Sequence, residues 1–145
     1  MKRIISFSII LLISSVLLFS FSSVDQWKTY KSINGVNIYY KTANCNTEYN
    51  KVEGEYYVFK YKNTNNYSVR ISWKLNVWVN DLCRSCNLPS PNEYELSLDV
   101  KAGQTLEYSC NDNSKAFKLF KTSKAVKNKD NIRFEFTQIM VSKLD

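Results

Sequence analysis

Tyr67-Ser68-Val69-Arg70-Ile71-Ser72-Trp73-Lys74-Leu75-Asn76-Val77-Trp78-Val79-Asn80 is the stretch that decides the fold. Its odd positions are all apolar, and the positions between them are polar except for Trp78. Side chains of a β-strand point alternately to opposite faces, so seven apolar residues at period two make one buried face of a long strand. The alternation returns at Tyr94, Leu96, Leu98 and Val100, and again at Ile132, Phe134 and Phe136. Shorter versions occur at Val36, Ile38 and Tyr40, at Tyr57, Phe59 and Tyr61, and at Leu106, Tyr108 and Cys110.

Turn residues fall between these runs. Asn34-Gly35 is a strong two-residue hairpin signal, and Asn63-Thr64-Asn65-Asn66 and Ala102-Gly103 punctuate later connections. Pro89 and Pro91 mark a loop. A tight turn at Asn34-Gly35 sets Lys31 beside Ile38 and Thr29 beside Tyr40. The first strand is then only half apolar, as an edge strand would be. Residues 113–127 fit a short helix (Ala116, Phe117, Leu119, Phe120 and Val126 on one face) or a strand, and a strand over 116–121 is expected. Seven to eight short strands, each apolar on one face, predict an all-β fold: an antiparallel two-sheet sandwich. Its nearest named architecture is immunoglobulin-like, although the Cys…Trp…Cys signature of antibody domains is missing.

The N-terminus has a different character. Met1-Lys2-Arg3 precedes an uncharged run, Ile4 to Phe21, broken only by serines. A basic start, an apolar middle and small residues at Ser20 and Ser22 form a secretory signal, cut before Ser23. An uncleaved anchor is the competing reading, because the run approaches the roughly 20 residues that span a bilayer; contact with a membrane is otherwise not expected. Removing residues 1–22 leaves 123 residues, one domain over 23–145. Lys2 and Arg3 leave with the signal, so the 20 basic residues become 18 against 13 acidic ones and the net charge falls from +7 to +5.

Four cysteines, Cys45, Cys83, Cys86 and Cys110, lie in the exported part. An even count in an exported chain reads as disulfides. Three pairings are open, and the favoured one joins Cys83 to Cys86 and Cys45 to Cys110. The expected location is therefore the periplasm or the extracellular medium.

Histidine is absent. That removes histidine-based acid–base catalysis, the usual serine and cysteine triads and the commonest metal ligand. Cys83-Arg84-Ser85-Cys86 has redox spacing, but no helix follows to activate the first thiol. A four-thiolate zinc site is the minor alternative. Glu93 and Glu95, two apart on one strand, would share a face as paired hydrolase carboxylates do. Both lie on the polar side, where Glu95 and Asp99 would instead meet Arg70 and Lys74 on neighbouring strands. No cofactor motif is present.

Binding features are more numerous. Lys115, Lys118, Lys121, Lys124, Lys127 and Lys129 carry +6 with no acidic residue among Lys115–Lys129, a basic stretch suited to an anionic glycan or envelope component rather than nucleic acid. A solvated face is its plain alternative. Trp78 stands on the polar side of the best strand. With Tyr56 and Lys60 on an adjacent strand it would stack on a sugar or a protein partner, unless the segment around Trp27 covers it.

Asn34-Gly35-Val36 leading to Tyr40-Lys41 and Cys45, Tyr61-Lys62-Asn63-Thr64-Asn65, the Cys83–Cys86 pair, Ala102-Gly103-Gln104 before Cys110, and Phe117-Lys118-Leu119-Phe120 together resemble small exported β-sandwich proteins of Bacteroidetes-type bacteria. The resemblance spans most of the mature chain and implies an envelope or secreted location but no activity. The functional expectation is a non-enzymatic binding or structural module. Its alternative is a small secreted enzyme using Cys83 and Cys86, or Glu93 and Glu95.

Overall fold

A computed structural model describes residues 26–47, 50–123 and 130–145. The signal-peptide reading of residues 1–22 and the lysines at 124, 127 and 129 lie outside them. Among the described residues there is no helix, and nine antiparallel strands form two sheets. They are β1 (Lys28–Ile33), β2 (Val36–Thr47), β3 (Asn50–Asn63), β4 (Val69–Val79), β5 (Leu82–Cys83), β6 (Glu95–Val100), β7 (Thr105–Glu107), β8 (Lys118–Ser123) and β9 (Ile132–Lys143).

In the first sheet β1, β2 and β3 run as a meander. The far side of β3 is shared end to end by β8, opposite Gly54–Val58, and β7, opposite Lys60–Lys62. The second sheet repeats this plan around β4: β9 lies along one side, and β6 and β5 share the other. The expected two-sheet sandwich is what forms. An immunoglobulin constant domain keeps strands A, B, E and D in one sheet, whereas three consecutive strands form a meander here, so the two-sheet sandwich is shown and the immunoglobulin likeness is not.

The alternation read from the sequence fills the core. Val69, Ile71, Trp73, Leu75 and Val77 of β4 are buried and face Ile38, Phe59 and Tyr61 of the other sheet within one cluster. The two ends of the run are exceptions: Tyr67 precedes β4 and is 38% exposed, and Val79 at the end of β4 is only half-buried. On β9 the apolar phase changes from Phe134 and Phe136 to Ile139 and Val141. One extra residue between the partners of Ser72 and Lys74 makes a bulge, and Gln138 takes φ +53° there. Such an insertion re-aims the side chains that follow, which keeps Ile139 and Val141 turned inward.

A second bulge changes the first hairpin. Asn34 and Gly35 have φ +46° and +74°, the pair of left-handed residues that a type I′ turn requires. Lys31 sits opposite Ile38 as expected, but Thr29 meets Tyr39 rather than Tyr40 because the register shifts at Tyr30. Tyr30 thereby turns inward, and its hydroxyl accepts the Phe136 amide proton at 2.8 Å, joining edge strand β1 to the second sheet. The strand expected at 116–121 begins instead at Lys118, because Ser114 holds a turn through the Ala116 amide at 3.1 Å.

Asn63 organises one end of the sandwich. Fully buried, it donates to the carbonyls of Tyr67 (2.8 Å), Val100 (3.1 Å) and Lys101 (3.1 Å) and accepts from the Asn65 backbone amide at 3.0 Å. Asn65 in turn donates to Asn34 O at 3.0 Å, and Thr64 reaches Gly35 O. Three turns from two sheets are locked together. A Cβ on Gly35 would overlap the Asn65 side chain.

Asn63→Ala is expected to cost about 2–3 kcal/mol in urea denaturation, because stranded carbonyls lose a buried donor. Exposed Asn66→Ala should stay within about 0.5 kcal/mol. Tyr61 gives a pH signature. Burial raises its phenol well above the ordinary value, and its hydroxyl donates to Ala116 O at 2.6 Å. A raised folded-state pKa leaves its stability contribution intact below about pH 10 and removes it as pH rises further. Alkaline melting curves should therefore fall steeply, and Tyr61→Phe should flatten that fall while lowering stability at neutral pH.

Candidate functional site

The outward face of the first sheet gathers aromatic rings and lysines. Since Ile38, Tyr40, Phe59 and Tyr61 point to the core, their neighbours Tyr39, Lys41 and Lys60 point away from it. Trp27, just before β1, lies on this same face. The Lys60 ammonium stands 4.3 Å and that of Lys41 5.0 Å from the centre of the Trp27 ring. Tyr108, just past β7, meets Trp27 edge to face at 6.0 Å, and Lys41 is also 5.7 Å from the Tyr108 ring. Tyr39 lies 5.1 Å from the Lys60 ammonium. All five side chains are partly exposed.

The patch extends along the sheet. Tyr56 and Phe120 pair edge to face at 5.5 Å, with Phe120 46% exposed, and Lys118 lies 5.4 Å over the Tyr56 ring. Val58, Ala43 and Cys45 also turn outward by register, yet they are buried. The segment after β7 crosses over them, tied down by Cys45–Cys110 with a Cα separation of 5.4 Å. Lys118 fastens it further by donating to Cys110 O at 2.6 Å. Among the described strand residues of this face, Lys41, Lys60, Lys62 and Lys118 stand with one carboxylate, Glu107, opposite Lys60, and Asp112 lies in the segment that crosses it. The face is positive.

The structure therefore brings Tyr56, Lys60 and Lys118 together and separates them from Trp78. Trp78 belongs to the second sheet, where the Arg133 guanidinium covers its ring at 5.0 Å and Cys83 pairs with it across β5. The proposed neighbourhood of Trp78 with Tyr56 and Lys60 is thus corrected: periodicity assigns a residue to a face but does not say which sheet holds its neighbours. Trp27 covers the first sheet and not Trp78. Three of the lysines from the basic stretch go separate ways. Lys115 pairs with Glu93 at 2.6 Å, Lys121 with Glu55 at 3.1 Å, and Lys118 caps a carbonyl.

The enzymatic candidates do not assemble as expected. Glu93 lies in the turn before β6 and does not share a strand face with Glu95. Glu95 stands opposite Lys74, and Asp99 opposite Arg70, as anticipated. Asp99 makes a two-point ion pair at 2.6 and 2.7 Å, and its hydrogen bond to Arg70 holds its carboxyl below the ordinary aspartate range. All four sulfurs are used in the two expected disulfides, so a four-thiolate zinc site does not form.

The Cys83–Cys86 loop is anchored by a residue that periodicity does not single out. Between the stretches of β4 paired with β5 and β6, buried Ser85 donates to Leu75 O and accepts from the Val77 amide, both at 2.9 Å. Arg84 N adds a bond to Val77 O at 2.8 Å. One hydroxyl stands in for a missing strand residue. No protein-family model, curated protein or solved structure matches this chain.

Ser85→Ala is expected to lower stability by about 2–3 kcal/mol, since it strands one buried donor and one buried acceptor. Arg84→Ala, which keeps the backbone bond, should change a thermal melt far less.

Proposed function

We propose that the protein is an exported, non-enzymatic binding module that engages an anionic glycan or other anionic envelope component through the outer face of its first sheet. The observation that carries this reading is the interleaving of Trp27, Tyr39 and Tyr108 with Lys41 and Lys60. Rings offer flat apolar surface to the C–H face of a sugar, and lysines beside them supply charge for carboxylate or sulfate. Two ammonium groups against one indole repel each other, and an anion between them relieves that repulsion. The disulfides fit an oxidising compartment, and export with removal of residues 1–22 completes the proposal.

A thiol–disulfide exchange activity at Cys83 and Cys86 is the second reading. One contact favours it: the Cys86 amide donates to Cys83 Sγ at 3.0 Å, which would stabilise a thiolate there. Against it stand the absence of a following helix among the described residues and the anchoring of the loop by Ser85. Insulin reduction assayed with the reduced protein discriminates the two readings, and the binding reading expects no turnover.

Immobilised heparin and alginate serve as sulfated and carboxylated probes. Retention should weaken steeply with salt, and Lys41→Gln with Lys60→Gln should elute much earlier. Trp27→Ala should weaken binding about tenfold through loss of ring contact. Retention that ignores salt and all three substitutions would remove this face from the proposal.

A further inference from the structure

We infer that the outer face of the second sheet holds a separate site for a neutral sugar unit, in a trough across β6, β4 and β9. The register places three rows side by side: Asp99–Arg70–Ser142, Ser97–Ser72–Met140 and Glu95–Lys74–Thr137. Two serines are therefore flanked along the strands by long charged side chains. The depression encloses about 370 Å³ and is lined by Ser72, Ser97, Lys74, Glu95, Gln138 and Met140 among others. That volume lies at the small end of ligand sites.

The walls are charged but internally balanced. Arg70 is held by Asp99 at 2.6 and 2.7 Å. Lys74 donates to Cys86 O at 2.9 Å, and Glu95 accepts from Ser90 and Asn92 at 2.9 and 3.1 Å. Two cations and two anions leave no net charge to select an ionic ligand. What they offer is a fixed set of donors and acceptors. Ser72, Ser97 and Gln138 supply two hydroxyls and an amide to the floor and one rim, each able to donate to and accept from a ligand. An apolar ligand would strand them. A polyhydroxylated one would satisfy them, with Met140, 64% exposed, against its C–H face.

The bulge ties this chemistry to the fold. At φ +53° Gln138 takes a conformation that side chains rarely adopt, and non-glycine residues held there often mark functional positions. Its effect is to turn both Gln138 and Met140 toward the trough while Phe136 and Ile139 remain on the core side. Without the inserted residue, the phase of Phe134 and Phe136 would continue to positions 138 and 140 and point both of them into the core.

The test is a two-dimensional NMR titration of the mature chain with methyl glucoside, methyl galactoside, methyl mannoside and N-acetylglucosamine, each to about 50 mM, the range where weak sugar sites saturate. At least one of them should shift the amides of Ser72, Ser97 and Gln138 and the Met140 methyl, leaving the Lys41 and Lys60 region unmoved. Ser72→Val and Ser97→Val should each weaken that binding about fivefold, the value of one hydrogen bond. Gln138→Gly, which keeps the bulge and deletes the amide, should weaken it comparably while the spectrum stays folded. No shift with any of these sugars, equal binding by the variants, or tighter binding of glucuronate would overturn the assignment. None of those results bears on the first sheet.

Discussion

Ring packing between the sheets is the interaction on which everything else depends. Trp73 of β4 stacks on Phe136 of β9 at 5.3 Å and meets Tyr61 of the opposite sheet at 5.3 Å. Phe59 reaches across to Phe134 and Phe136 at 5.1 and 5.0 Å. Each such pair adds about 1 kcal/mol beyond the area it buries. Two tyrosines then close the side of the sandwich: Tyr57 donates to Ile132 O at 3.1 Å, and Tyr30 accepts from the Phe136 amide. Their hydroxyls bond groups of β9 that no neighbouring strand reaches among the described residues. Because the inward faces supply the cohesion, both outward faces are left to carry chemistry.

The disulfides have a different task from the core. Neither joins one sheet to the other. Cys45–Cys110 links two points of the first sheet and holds the segment between β7 and β8 against its outer face, so it shapes the surface bearing Trp27 and Tyr108. Closing a loop with a sequence separation of 65 stabilises the fold by about 4 kcal/mol on the chain-entropy account. Cys83–Cys86 closes only a local turn and works together with Ser85.

The two outward faces differ in electrostatics. One combines rings with an excess of lysine; the other balances Arg70 and Lys74 against Asp99 and Glu95 around two serines. The two proposals together point to a polymer with both charged and uncharged sugar units. That combination unites the proposed function with the further inference without making either depend on the other.

Period-two alternation was enough to find the main strands, the buried side of β4 and the edge position of β1, because burial imposes it directly on the sequence. The Asn34-Gly35 turn was equally legible, since few dipeptides tolerate its backbone. The bulges at Tyr30 and Gln138 were not legible, for a single inserted residue leaves only a change of phase, and that change requires knowing the partner strand. The same limit separated Trp78 from Tyr56 and Lys60 and hid the meeting of Trp27 with Tyr108. Asn63 and Ser85 look like ordinary polar residues until the carbonyls they serve are located. The measurement closest to the central claim is a nuclear Overhauser spectrum of the protein. Cross-peaks from the Trp73 indole to the rings of Tyr61 and Phe136 are the predicted result; a spectrum lacking them, with Trp73 protons contacting only their own strand, would contradict the packed two-sheet structure.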